Sequence, residues 1–182
     1  GVCHVANSAG ALAFPSARYQ AIRPGIALYG ISPFFGRKTA ELPEPLASIA
    51  GELRPAMSIR TQIVSLRTLA DGERVGYGHT WIAEGERRIA TIPMGYADGL
   101  SRSMSNRGSV LVRGKRAPVA GVVSMDLTTI DVTGIPGAAL GDEVTILGGE
   151  ITPEELALIQ GTIPWEVVTN ISRRVPRFFR EP

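Results

Sequence analysis

Tyr77 stands between two glycines in the stretch GERVGYGHTW, which runs from Gly72 to Trp81. Glycine on both sides removes side-chain bulk and permits positive φ, so the backbone can turn sharply and bring the phenol close to a ligand. A tyrosine held in this way is a candidate for moving a proton. The same pattern also suits a tyrosine that only ends a strand, and GYG taken alone favours that structural role.

Cys3 and His4 are adjacent residues of types that bind metals. However, Cys3 is the only cysteine, and the chain has only two histidines. Two such neighbours without a second cysteine do not make a usual metal site, and we expect none. A single cysteine excludes an internal disulfide framework and fits a reducing compartment, so we predict a cytoplasmic protein. The first residues lack the pattern of a signal peptide, and no run approaches the ~18 apolar residues of a membrane span.

The arginines of the terminal stretch SRRVPRFFR form a basic cluster, although the formal net charge of the chain is only +2. Such a cluster binds phosphates in nucleic-acid proteins, but composition alone favours a solvated terminus. An RNA-binding barrel interleaves aromatic and basic residues on one sheet face, whereas Tyr77, Trp81 and Tyr96 fall in glycine-rich turns. We therefore expect no nucleic-acid partner. A non-catalytic β-barrel module that binds RNA or a protein through the cluster is the alternative function.

The elements that must position these residues change character along the chain. VCHVANS reads as the end of a buried strand, GALAFPSARYQAI as a helix interrupted or capped near Pro15, and RPGIALYG as a second strand. Strand, helix and strand in about 30 residues make one βαβ unit. One such unit cannot close a sheet, so we expect residues 1–40 to belong to a larger α/β structure.

The rest of the chain, residues 41–182, opens with a proline-rich connector and then becomes β. SIRTQIVSLRTL alternates apolar and polar residues, as a half-buried strand does. Five further strands are predicted at RRIATIPMG, SVLVRG, APVAGVVSM, LTTIDVT and EVTILG. Six short strands at this spacing predict an antiparallel barrel or sandwich, so the fold class is mainly β.

Two short helices are predicted near the end. TPEELALIQG has Thr152 as N-cap, Glu155 at the capping-box position and Gly161 just beyond the last turn. PWEVVTNIS places Pro164 at the first helical position.

Five segments together resemble the C-terminal half of the alanine racemase family of pyridoxal-phosphate enzymes: HVANSAG, IRPGIALYG, GYGHTW, IPMGYADGL and VVSMDLTTIDV. Each is weak alone, but all five occur in family order over essentially the whole chain. The resemblance implies that residues 1–40 end a (β/α)₈ barrel that binds pyridoxal 5′-phosphate, and that residues 41–182 form the family's β-rich C-terminal domain. It also implies interconversion of L-alanine and D-alanine, which supplies D-alanine for cell-wall peptidoglycan.

By this resemblance, Tyr77 is one of two acid–base groups and acts in a homodimer whose active sites are shared between subunits. The other group is a lysine that forms a Schiff base with the cofactor, in an earlier segment of the family. Lys38 and Lys115 are the only lysines of this chain, and neither matches that segment. The chain is therefore expected to be half of an active site and inactive in isolation.

The resemblance also implies a set of binding residues. Met125 would meet the substrate carboxylate through its backbone N–H, and Tyr96 and Asp126 would line the entrance for a small amino acid. Arg23 would bond the pyridine nitrogen of the cofactor. The residues implied in cofactor binding are His4, Asn7, Ser8, Arg23, Gly25 and Ile26, of which Ser8, Gly25 and Ile26 would bind the phosphate. For His4, a buried structural role is equally favoured.

Arg173 departs from the family pattern, because relatives commonly carry a phosphate-binding tyrosine there in an S-Y-R-V-P-R run. Its guanidinium either binds the phosphate by charge or points away. Two further functions stay open: a racemase of other amino-acid specificity, and a pyridoxal-phosphate carrier without racemase activity.

Overall fold

The computed structural model divides the chain into two compact units, Gly1–Met57 and Ser58–Pro182. The described residues are 1–37 and 39–179. Lys38 and Arg180, the last arginine of the terminal cluster, lie outside the described residues.

The proline-rich connector packs back on the first unit, so the structure divides the chain later than the sequence analysis did. The backbone N–H of Ala56 donates to the carbonyl of Tyr29 at 3.0 Å. Gly30, at a φ of +69°, lies so close to Arg54 that an added Cβ would be 1.6 Å from its carbonyl oxygen. These two backbone contacts hold residues 41–57 in the first unit.

Short helical segments follow one another in the first unit. They are the α-helices α1 (Ser8–Ala13) and α2 (Leu46–Glu52), and 3₁₀ turns at Pro15–Ala17, Ile26–Tyr29 and Thr39–Glu41. Asn7 caps α1, because its Oδ1 accepts from the backbone N–H of Gly10 at 2.9 Å. The predicted interruption near Pro15 is confirmed, since α1 ends before the 3₁₀ turn that Pro15 opens.

The sequence predicts two strands in the first unit, but the structure has less regular strand pairing there. Among the described residues, the strand-like pairing of the two stretches is limited to an isolated parallel bridge between Asn7 and Arg23. Residues Ile26–Tyr29 form a 3₁₀ turn instead of a strand. Gly30 ends this turn in the left-handed conformation, which lets the N–H of the next residue, Ile31, return to the carbonyl of Ile26 at 3.4 Å.

The second unit is built of antiparallel β-sheet with short helices, which confirms the predicted fold class. Its described strands are β1 (Ile59–Gln62), β2 (Ser65–Leu69), β3 (Arg74–Val75), β4 (Trp81–Ile82), β5 (Arg87–Ile92), β6 (Ser109–Val112), β7 (Lys115–Pro118), β8 (Thr128–Asp131) and β9 (Glu143–Leu147). Their order in the three sheets is β1-β9-β6-β7, β2-β5-β8 and β3-β4. Side chains from all three sheets are buried, and each large apolar one contributes roughly 1.5–3 kcal/mol.

The predicted strand SIRTQIVSLRTL is two strands that pair in different sheets, β1 with β9 and β2 with β5. Ile63 lies between them and is 2% exposed. Its N–H donates to the carbonyl of Asp142 at 3.0 Å, and its carbonyl accepts from Gly141 at 2.8 Å, in the turn before β9. The alternation of apolar and polar residues continues through this junction, so the sequence pattern did not reveal it.

The predicted strand APVAGVVSM is also shorter in the structure. Pro118 ends β7, and Val119 makes only an isolated bridge with Ile130. Gly121, at a φ of +87°, then turns the backbone away from the ladder.

The two predicted helices near the end are confirmed as α3 (Pro153–Gln160) and α4 (Pro164–Thr169). Thr152 caps α3, because its Oγ1 accepts from the N–H of Glu155 at 3.1 Å, and Gly161 closes the helix in the left-handed conformation. None of the described helices is both long enough and apolar enough to cross a membrane.

The carboxylate of Glu155 binds Arg116 of β7 instead of closing a capping box. Arg116 Nη1 lies 2.6 Å from Glu155 Oε1, and Nη2 lies 2.8 Å from Oε2. Nη2 also donates to the carbonyl of Glu150 at 3.1 Å. Hydrogen bonding to Arg116 lowers the pKa of Glu155, against the opposing effect of burial. The pair therefore connects α3 to the edge of the four-stranded sheet.

We expect Glu155→Gln to lower the free energy of unfolding at pH 7 by about 0.5–1 kcal/mol, as for other partly exposed ion pairs. Because the folded pKa of Glu155 is lowered, this stabilisation is present above the unfolded pKa of about 4.3 and is lost as the pH falls through the folded pKa. Urea unfolding of both proteins across roughly pH 7 to 3 measures the difference. Glu154→Gln, one residue earlier in α3, is the matched control, and an equal loss in that variant would exclude the ion pair as the cause.

Candidate functional site

Tyr77 lies on the turn of a hairpin that the sequence analysis missed. Val75 of β3 pairs with Trp81 of β4, and residues 76–80 connect them. Val75 is 1% exposed, and Trp81 packs against the buried cluster around it. That cluster consists of Leu69, Val75, Ala83, Ile89 and Ala120. The two ends of the turn are thus fixed by apolar packing.

The conformation of the turn explains the glycines on both sides of Tyr77. Gly76 has φ +73° and ψ −177°, a region that is essentially restricted to glycine, and Gly78 has φ +70°. A Cβ on Gly76 would lie 3.3 Å from the backbone nitrogen of Val122, so the turn sits against that segment. Tyr77 itself is 75% exposed. The glycines therefore let the backbone of the turn pack closely on its neighbours while the phenol of Tyr77 points outward.

Tyr77 borders a groove of about 360 Å³. The other lining residues are Gly76, Thr91, Val122, Ser124, Leu127, Thr128 and Thr129. Ser124 and Leu127 flank Met125 and Asp126, so the structure brings Tyr77 to the same groove as the segment that carries two of the predicted substrate-binding residues.

The GYADG turn, residues 95–99, packs through backbone atoms directly on residues 124–126, the SMD segment. A Cβ on Gly95 would lie 2.3 Å from the carbonyl oxygen of Ser124 and 2.4 Å from that of Met125. Tyr96 donates its N–H to Ser124 at 3.0 Å, and Ala97 donates its N–H to Met125 at 3.0 Å. In the described part of the chain, the N–H of Met125 itself has no hydrogen-bond partner. Tyr96, Met125 and Asp126 are thus brought together, and a backbone donor is available beside them.

Arg174 joins this pair of loops to the C-terminal segment, a role that sequence reasoning missed. Its Nε lies 2.7 Å from Asp98 Oδ1, and its Nη2 lies 2.6 Å from Asp126 Oδ1. Hydrogen bonds to the two carboxylates, Asp98 first, raise the pKa of Arg174. Asp98 also accepts the N–H of Gly95 through Oδ2 at 2.9 Å. Asp98 therefore stabilises the turn and also takes part in the ion pair.

Asn106 is a second residue that the sequence analysis did not select. Its Nδ2 donates to Thr80 Oγ1 at 3.0 Å, and its Oδ1 accepts from the N–H of Gly121 at 2.6 Å. The bond to Thr80 is the only side-chain hydrogen bond to residues 76–81 within the described chain. The signal that could have drawn attention to Asn106 is the run Asn-Arg-Gly, since both asparagine and glycine are typical of turns. The structure places Asn106 at a φ of +54°, which asparagine tolerates well.

The predicted cofactor residues of the first unit form a second group. Ser8 is 5% exposed, and its Oγ accepts from the N–H of Gly25 at 2.9 Å and from that of Ala27 at 3.3 Å. Its own hydroxyl proton stays available for donation. The N–H of Ile26 has no partner among the described residues, although the side chain is buried. The hydroxyl of Ser8 and the N–H of Ile26 are therefore both available as hydrogen-bond donors.

Asn7 and Arg23 complete that group through their parallel bridge. The N–H of Arg23 donates to Ala6 at 2.8 Å, and its Nη2 donates to the carbonyl of Val5 at 3.2 Å. His4 is exposed, and in the described residues it has no polar partner, so the structure does not bring it into the group.

The arginine cluster is largely engaged within the protein. Arg177 donates to the backbone carbonyls of Ile171, Ser172 and Val175, and Arg174 binds its two aspartates. Arg173 is exposed and makes no polar contact with any described residue. Within the same residues, no group of three or more His, Cys, Asp or Glu side chains is placed to hold a metal ion.

We expect Thr80→Val to loosen the Tyr77 turn, because it removes the hydroxyl that accepts from Asn106. Loss of one such bond should speed amide exchange of His79 and Gly121 by about 2–10-fold. Hydrogen exchange of the 182-residue chain, followed by NMR, measures the rates. Thr80→Ser keeps the hydroxyl and should exchange like the wild type.

Thr169→Val is the matched control, since the hydroxyl of Thr169 donates to Trp165 within α4. Acceleration at His79 in that variant, or equal acceleration in Thr80→Ser, would show that the Asn106 bond does not hold the turn.

The sequence models that match this chain describe alanine racemases, and so do the names of its curated relatives. The sequence model described as "Alanine racemase, C-terminal domain" matches residues 56–179, and "Alanine racemase, N-terminal domain" matches residues 1–33. An alanine racemase of Sorangium cellulosum is 56% identical over 189 residues, which cover 100% of this chain and 47% of the relative. A biosynthetic alanine racemase of Pseudomonas aeruginosa is 44% identical over 95% of this chain and 46% of its own length.

Solved structures agree with these sequence matches. Alanine racemase from the D-cycloserine producer Streptomyces lavendulae superposes with a TM-score of 0.85 at 39% identity, over 100% of this chain and 46% of that one. The Bacillus anthracis alanine racemase solved with bound L-Ala-P gives 0.85 at 37% identity, over 99% and 45%. The chain thus spans about half the length of the relatives it matches.

Proposed function

We propose, since this chain belongs to the alanine racemase family, that it supplies the tyrosine-bearing part of an active site that interconverts L-alanine and D-alanine. One observation carries the proposal: a rigid glycine turn presents the exposed Tyr77 at a groove, next to a segment whose Met125 N–H is unpartnered within the described chain. An acid–base group and a carboxylate donor at one groove suit an amino-acid substrate.

The reaction needs one proton removed from one face of Cα and another delivered to the opposite face. Tyr77 would take the α-proton of L-alanine, and the family's lysine would deliver a proton on the other face; the reverse reaction exchanges these roles. Lys115 lies exposed at the start of β7 and Lys38 lies outside the described residues, so we assign the lysine role to neither. The 182 residues alone are accordingly proposed to be inactive.

The donor set of the first unit fits pyridoxal 5′-phosphate. Ser8 retains its hydroxyl proton, and the N–H of Ile26 meets no acceptor in the described residues, which suits binding of a phosphate. Gly25 has its N–H engaged with Ser8, and would orient the hydroxyl. Arg23 would donate to the ring nitrogen of the cofactor, with Asn7 beside it. When bound, this cofactor supplies the electron sink that makes Cα acidic.

The substrate end of the site would be formed by the second unit. The Met125 N–H would bind the carboxylate of alanine, while Tyr96 and Asp126 would border the entrance. The product D-alanine would serve peptidoglycan synthesis, and the cytoplasmic location stays a prediction from the single Cys3. The internal engagement of Arg174 and Arg177 gives no support to the RNA-binding module.

Tyr77→Phe tests the assigned proton transfer in the complete enzyme, in which this chain is joined to the family's lysine-bearing segment. Racemic alanine is the equilibrium state, so racemisation must fall equally from both enantiomers. Exchange of the α-proton with D₂O separates the two faces: for L-alanine it should fall about 10²–10⁴-fold, while D-alanine keeps exchanging through the lysine. NMR of the alanine α-proton measures both rates.

Tyr19→Phe is the control, because Tyr19 is an exposed tyrosine outside the proposed site. If Tyr77→Phe slowed exchange of both enantiomers by the same factor, Tyr77 would not be the base for one face.

A homodimer with shared sites follows from the proposal, and mixed dimers test it. One subunit carries Tyr77→Phe and the other lacks the catalytic lysine. If Tyr77 serves the partner's cofactor, one site receives both defects and the other neither, so activity should return to about half of the wild type. Activity measured on dimers purified with two different affinity tags gives the result. No recovery of activity would mean that each site uses the tyrosine and lysine of one subunit.

A further inference from the structure

We propose that Arg174 is a positioning residue that compensates the negative charge beside the substrate-carboxylate subsite, and so sets the affinity for the amino acid. The inference rests on the proposed function, because it takes the Met125 N–H as the donor to the carboxylate. It adds a residue that makes no contact with the substrate and acts through Asp126.

The contacts of Arg174 place it where three segments meet. Asp98 belongs to the GYADG turn, Asp126 belongs to the SMD segment, and Arg174 lies after the last helix. The C-terminal segment is also joined to the turn by its backbone, since Ser172 donates its N–H to the carbonyl of Asp98 at 3.1 Å. Arg174 is therefore the point at which the chain's end is tied to both loops of the substrate side.

The guanidinium of Arg174 partly neutralises the negative charge of Asp98 and Asp126. Asp126 follows Met125 directly, and its side chain is 57% exposed, whereas the side chain of Asp98 is 13% exposed. Two carboxylates and one guanidinium leave a net charge of −1. Without Arg174 the net charge would be −2, next to the place where another carboxylate has to bind. Like charges repel, so the substrate would bind less tightly.

The geometry also explains why arginine is used. Nε and Nη2 each bind a different carboxylate, at 2.7 and 2.6 Å, and the planar guanidinium fixes the angle between these bonds. A lysine would keep the positive charge without the planar fork that binds both carboxylates, so we expect it to affect the KM far less than a neutral glutamine does.

The test is a double-mutant cycle in the complete enzyme, with the KM and kcat of alanine as readouts. Arg174→Gln should raise the KM about tenfold with a smaller change in kcat, and should raise it less than about threefold when Asp126→Asn is present, because the two sites are coupled. The double variant restores the net charge of −1. Added salt should lower the KM of Arg174→Gln and leave that of the double variant nearly unchanged, since salt screens the repulsion.

Arg177→Gln is the matched control, because Arg177 binds backbone carbonyls in the same segment and no carboxylate of the described residues. Any rise in KM that it causes should not be relieved by Asp126→Asn. A purely structural role of Arg174 predicts that Arg174→Gln raises the KM by the same factor whether or not Asp126→Asn is present, and that result would overturn the proposal.

Two outcomes remain to be separated. If Arg174→Gln does not fold, Arg174→Lys keeps the net charge of −1 and should have a KM within about threefold of wild type, and the double variant should have a KM within about threefold of that of Asp126→Asn alone; a larger rise in Arg174→Lys overturns the proposal. If the wild-type enzyme does not racemise alanine, the proposed function fails and this inference fails with it. Wild-type activity without coupling between Arg174 and Asp126 rejects the inference alone.

Discussion

Direct backbone contact between the GYADG turn and the SMD segment is the constraint on which the proposed substrate side depends. At Gly95 the two backbones approach so closely that even a methyl group would overlap with two carbonyl oxygens. The hydrogen bonds from Tyr96 and Ala97 form only at this distance. They use the carbonyls of Ser124 and Met125, while the N–H of Met125 has no partner in the described chain. Gly95 thus allows the close contact that places this unpartnered N–H beside the GYADG turn.

The Tyr77 turn also depends on close contact between two backbone segments. Gly76 and Gly121 let two backbone segments pack closely, and apolar burial of Val75 and Trp81 fixes the ends of the hairpin. Polar side chains then provide long-range links, Asn106 to the turn and Arg174 to the loops. Close packing by glycine fixes the distance between segments, and the side-chain links fix their orientation.

Sequence reasoning identified the features that are local. The antiparallel β fold, the cap at Thr152 and the special conformation around Tyr77 follow from alternation, capping residues and glycine positions. It did not identify Arg174, whose partners lie 76 and 48 residues earlier, because nothing near Arg174 indicates which carboxylate it will meet. The junction at Ile63 was missed for a related reason, since a strand that changes sheets keeps the alternation of a strand that does not.

That junction has a consequence for how the protein tolerates insertions and deletions. Successive side chains in a strand face opposite sides of the sheet, so removing one residue between β1 and β2 would turn β2 over. Leu69, which is 3% exposed, would then face solvent and the polar side chains of β2 would face the core. Surface loops between elements usually accept changes in length. Here the connection transmits register from one sheet to the next, so its length is as constrained as the sequence of the core.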